Sequence, residues 1–72
     1  MDTIYVFTSW VKNNFDPVEK PYAKNGHTFT MIDGIHYGPI NMEGAAEFFS
    51  QLPPDEAVEF MDLLEKGIDK EV

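Results

Sequence analysis

His27 and His36 are the only imidazoles in the sequence, and no metal-ligand spacing surrounds them. A structural or catalytic metal needs three or four converging donors, and the nearest carboxylates, Glu19 and Asp33, complete no recognisable pattern. The chain has no cysteine, which excludes disulfides, thiolate zinc sites, iron–sulfur ligation and cysteine nucleophiles together. Ser9 and Ser50 lie outside any nucleophile-elbow motif, and there is no glycine-rich phosphate loop. The pairs Glu43/Glu47 and Glu59/Asp62 have the spacing of a helix surface, whereas a two-carboxylate hydrolase needs its acids to face one another across a cleft. The expectation is therefore a protein that is not an enzyme, with no catalytic residue, no metal and no cofactor.

What the residues offer instead is charge. Asp and Glu number 13 against 5 Lys and no Arg, a formal net charge of -8. The imbalance is uneven: residues 1–36 hold four acids and three lysines, while residues 37–72 hold nine acids and two lysines. On a helix of 100° per residue, Asp55, Glu59, Asp62 and Asp69 share one stripe with Lys66, and Glu65 lies beside it. Glu43 and Glu47 fall on one side of a preceding helix. Such an array would steer toward a basic surface and occupy a groove that ordinarily receives phosphates. The expected partner is a basic, nucleic-acid-binding protein inhibited by carboxylates standing in for DNA or RNA phosphates, as a phage protein acting on its host would do. Direct nucleic-acid binding is not expected, because Lys12, Lys20, Lys24, Lys66 and Lys70 never cluster. The alternative is a protein-interaction module or small subunit that uses an apolar surface at Tyr5, Phe7, Trp10, Val58 and Leu63.

The elements that must position these groups follow from periodicity and punctuation. At 43% hydrophobic and 14% aromatic, the 72 residues carry enough apolar material to fold despite their charge. Thr3 to Val11, rich in β-branched and aromatic residues, reads as a strand. Asn13-Asn14 and Asp16-Pro17 mark a loop over 12–21. Asn25-Gly26 and Asp33-Gly34 each suit a type I′ hairpin turn, which predicts a meander of Tyr22–Lys24, His27–Ile32 and Ile35–Ile40. The second turn would set Ile32 opposite Ile35, Met31 opposite His36 and Thr30 opposite Tyr37, with Phe29 beside Gly38. That register places Thr28, Thr30, Ile32, Ile35 and Tyr37 on one face and Phe29, Met31 and His36 on the other.

From Asn41 the pattern becomes helical. Asn41 is the expected N-cap of a helix over 42–52, with Met42, Ala45, Phe48, Phe49 and Leu52 on its apolar face. Pro53-Pro54 breaks it and starts a second helix over 54–68, whose core face is Ala57, Phe60, Met61, Leu64 and Ile68. Gly67 is either its C-terminal breaker or an interior glycine. The predicted fold class is α+β: a small antiparallel meander of three or four strands packed against a C-terminal helical pair, in a single domain over residues 1–72. No apolar run approaches the ~18 residues of a membrane span, and the first residues carry no secretory pattern. A cytoplasmic protein without membrane contact is expected, and a homodimer would lengthen the acidic track beyond one helix.

Overall fold

The computed structural model describes residues 2–68. Its first element corrects the sequence reading: Thr3–Asn14 is a helix, α1, not a strand. The β-propensities of the residues in TIYVFTSWV differ by only about 1 kcal/mol per site and give way to context, and two things outweigh them. Asp2 caps the helix, its carboxylate accepting the Ile4 N–H at 3.0 Å. Phe7, Trp10 and Val11 stand at i, i+3 and i+4, so a helix turns all three to one side, where Phe7 and Val11 are fully buried. Phe15 ends α1 in an extended conformation, with its N–H on Val11 O at 2.9 Å.

The chain then enters a three-stranded antiparallel sheet of β1 (Asp16–Val18), β2 (His27–Ile32) and β3 (Ile35–Asn41). Three antiparallel strands with a C-terminal helical pair make the predicted α+β fold, in the order β1-β3-β2, so β3 is central and the strand succession differs from the one expected. Residues 16–18, expected as loop, supply the strand that satisfies the second edge of β3, pairing Asp16 with Gly38 and Val18 with His36. Pro17, which lacks an N–H, is accommodated because β1 is an edge strand. Residues 22–24 form no strand. Of Asn25 and Gly26 only Gly26 has positive φ, so this turn is not type I′; it closes through His27 N–H to Lys24 O at 3.1 Å. Tyr22 instead lies edge-on against Phe29, with ring centroids 4.9 Å apart.

The β2–β3 hairpin keeps the predicted register. Asp33 and Gly34 have φ of 53° and 79°, as a type I′ turn requires, and Ile32/Ile35, Met31/His36 and Thr30/Tyr37 are paired. Register shifts by one residue between Thr28 and Thr30, where Gly38 and Pro39 together oppose Phe29. A Cβ on Gly38 would lie 2.5 Å from Phe29 Cδ2, so only glycine lets that ring lie against the strand.

Asn41 caps α2 (Met42–Ser50), its side chain accepting from Glu43 N at 2.9 Å and Gly44 N at 3.3 Å. The helix stops two residues before the predicted end. Ser50 Oγ donates to Glu47 O, and Gln51 and Leu52 donate to Phe48 O and Phe49 O, tightening the last turn ahead of Pro53. α3 spans Pro54–Lys66 with Pro54 in its first turn. Gly67 is the breaker: its φ is 75°, and its N–H reaches Leu63 O at 2.7 Å. Ile68 then joins the free edge of β2 as a parallel bridge, donating to Met31 O at 2.6 Å and accepting from Asp33 N at 2.9 Å.

Packing closes one core. α3 lies on β2, α2 on β3 and α1 on α3, and the 19 Å thickness leaves room for one sheet and one layer of helices of ~10 Å diameter. Ile32, Tyr37 and Ile40 meet Phe7, Val11, Phe49, Phe60 and Leu64 at the centre. Phe60 takes edge contacts from Phe7 at 5.5 Å and Phe49 at 5.6 Å. Trp10 stacks flat on Phe48 at 5.1 Å and meets Phe15 edge-on at 5.3 Å. Thr8 is buried with an unpartnered hydroxyl among the described residues.

Two stability outcomes follow. A Cβ at Gly67 would fall 2.7 Å from Met31 O at positive φ, so Gly67→Ala should cost at least about 2 kcal/mol in urea unfolding; a loss under ~0.5 kcal/mol would mean the α3–β2 closure is absent. Thr8→Val removes an unsatisfied buried hydroxyl at nearly constant shape and should raise stability by about 1 kcal/mol in the same assay.

Candidate functional site

α3 carries two chemically distinct sides, set by the inward commitment of Phe60 and Leu64, each no more than 2% exposed. Asp55, Glu59 and Asp62 recur at i, i+4 and i+7, on the side turned away from those residues, and all three are exposed. Lys66 completes the row and pairs with Asp62 at 3.1 Å, with side chains 74% and 54% exposed. Such an exposed i,i+4 pair adds only a few tenths of a kcal/mol, and it sets a positive charge against Asp62. Glu65 is exposed beside the row. Glu43 and Glu47 are exposed one turn apart on α2. Asp69 lies outside the described residues. Asp55 and Glu43 also occupy first turns, where free N–H groups favour a carboxylate irrespective of any ligand.

The predicted apolar contacts divide. Tyr5 and Val58 are 68% and 69% exposed. Phe7 is corrected from surface to core: a strand would have turned it away from Trp10, whereas the helix drives it onto Phe60. Trp10 and Leu63 are half-buried and packed against the core, so neither is an open contact surface. Met61, predicted as core, is 40% exposed because it sits three residues beyond Val58 on the flank of α3. Ile4 and Ile35 are also exposed, and nothing in the period of the sequence distinguishes them from core residues.

Other chemistry is sparse. His27 Nδ1 lies 2.8 Å from Asn25 O at the start of β2. His36 sits between Val18 and Met31 in the sheet register, about four residues or ~13 Å along the strands from His27. The two imidazoles do not converge. Among the described residues no three His, Asp or Glu side chains are grouped to hold a metal ion, no cavity is present, and no helix is long and apolar enough to cross a membrane. What the arrangement can do is present charge on rigid helices. Exposed carboxylates act through a field screened over ~8 Å at physiological salt rather than through enclosure. No protein-family model matches the chain, and neither a curated protein nor a solved structure matches it significantly.

Proposed function

We propose that this chain binds a basic nucleic-acid-binding protein and inhibits it by presenting the α2 and α3 carboxylates where nucleic-acid phosphates would lie. The observation that carries the reading is the exposed row on α3: Asp55, Glu59 and Asp62, with Glu65 beside them, span eleven residues of one helix, about 15 Å of rise from first to last. That is one carboxylate per ~5 Å, comparable to the spacing of charges along one strand of a duplex at ~3.4 Å per phosphate. The helix holds them at fixed intervals, so a partner meets a preordered array rather than a disordered acidic tail. The partner's own basic groove supplies the concavity that this small domain lacks.

A second reading has one specific observation in its favour. Val58 is 69% exposed in the middle of the acidic helix, between Asp55 and Asp62 at i-3 and i+4. A purely electrostatic surface does not need it, whereas an interaction module would use it as an apolar anchor ringed by charge.

The test uses immobilised chain and cell extract, with duplex DNA as competitor. A captured protein should be displaced by DNA, and Glu59→Lys with Glu65→Lys should weaken its capture at least about tenfold while shifting unfolding by no more than ~0.5 kcal/mol. Capture that DNA does not compete and that survives both reversals, but is lost in Val58→Asp, would replace mimicry with the apolar module.

A further inference from the structure

The turn before β2 brings three groups together that no binding role requires. Asn25 and Gly26 are exposed. Gly26 has φ of 75°, and beyond its chain neighbours nothing lies within 4 Å of where a Cβ would stand, so no packed side chain or strand crowds this turn. His27 Nδ1 lies 2.8 Å from the Asn25 carbonyl oxygen. A carbonyl oxygen cannot donate, so in this hydrogen bond Nδ1 carries the proton.

We infer that Asn25-Gly26 is a self-modifying site, at which Asn25 converts through a cyclic imide to aspartyl and isoaspartyl forms with His27 promoting the reaction. The chemistry balances with water as the sole co-reactant. The Gly26 peptide nitrogen gives its proton to solvent base and attacks Asn25 Cγ; the bond from Cγ to the side-chain nitrogen breaks, and that nitrogen leaves as ammonia with a proton taken up from solvent. Water then opens the five-membered imide. Attack at Cγ gives aspartate, and attack at the main-chain carbonyl gives isoaspartate, with the chain rerouted through Cγ. Nothing is oxidised or reduced.

His27 acts at the oxygen of the peptide group that supplies the nucleophile. Asn25 O and Gly26 N belong to one amide, so the anion formed on losing the Gly26 proton places charge on that oxygen. A hydrogen bond that strengthens as its acceptor becomes charged favours the anion over the neutral amide. The same donor polarises the main-chain carbonyl of the imide and so directs water to it, favouring isoaspartate. His27 is thus a positioning residue for a reaction whose atoms all lie in its two preceding neighbours.

The location gives the modification a structural consequence. Gly26 O accepts the Met42 N–H at 2.9 Å, tying the turn to the first residue of α2. An isoaspartyl link adds a methylene to the backbone immediately before Gly26 and pulls that carbonyl out of register. Either product adds one negative charge to a chain already at -8, close to the N-terminus of α2, where Glu43 is carried. Asp33-Gly34, the other acidic or amide residue followed by glycine in a turn, is held differently, with its own N–H bonded to Ile68 O.

The experiment is an incubation of the intact chain at neutral to mildly alkaline pH and 37 °C, followed by peptide mapping with fragmentation that separates aspartate from isoaspartate. Residues 25–26 should gain about one dalton, ammonia lost and water added, with isoaspartate the larger product. His27→Phe, which keeps a ring and removes the donor, should slow the gain about fivefold, the worth of one such hydrogen bond; His27→Ala serves if the Phe variant does not give wild-type circular dichroism. A gain confined to other asparagines, or equal rates with and without the His27 donor in folded protein, would overturn the inference.

Discussion

Phe60 is the side chain on which the helices close. It receives Phe7 from α1 and Phe48 and Phe49 from α2, while Trp10 bridges Phe7, Phe15, Phe48 and Phe49 around it. In a 72-residue chain the fraction of surface buried is small, so a few large rings must supply most of the apolar contact. That requirement explains why a segment of strand-like composition becomes a helix. As a strand, residues 3–11 would send Phe7 and Trp10 to opposite faces; as a helix they arrive on the same side, one on Phe60 and one on Phe48. The conformational choice at the N-terminus is made by contacts more than 30 residues away.

The same cluster orients the acidic side. Once Phe60 and Leu64 point inward and Gly67 lets Ile68 join the edge of β2, α3 has no rotational freedom left. Asp55, Glu59 and Asp62 must then face water, because burying any of them without a partner would cost several kcal/mol. Exposure is thus a consequence of the core, while the recurrence of acids along one row is a property of the sequence that the core does not demand. Lys66 interrupts the row at its C-terminal end, where a cation also complements the helix dipole, so the uncompensated charge is concentrated toward Asp55 and Glu59.

Features decided within a few residues are legible in the sequence itself. Asn41 as a cap, Pro54 as a helix start, Asp33-Gly34 as a hairpin turn and the resulting register all depend on local backbone chemistry. The stripe on α3 was legible because a 13-residue helix leaves its period plainly written. Features decided by distant contacts were not. TIYVFTSWV carries both an alternating pattern and the Phe7, Trp10, Val11 spacing of a helix, and only the presence of Phe60 and Phe48 chooses between them. β1 is three residues long and contains a proline, so nothing local announces it; it exists because β3 has a second edge to satisfy. The misplacement of Phe7 as a surface contact follows directly from the wrong state of α1, and that of Met61 from a helix face narrower than its apolar residues suggested.

The central claim is that recognition runs through the field of the α2 and α3 carboxylates rather than through an apolar contact. Ionic strength acts on the first and barely on the second. The most direct measurement is the affinity of the chain for its captured partner across a salt series. The claim predicts a loss of at least about tenfold between ~50 and ~300 mM salt as the Debye length contracts. An affinity that stays level across that range would contradict it and move recognition to Val58 and its neighbours.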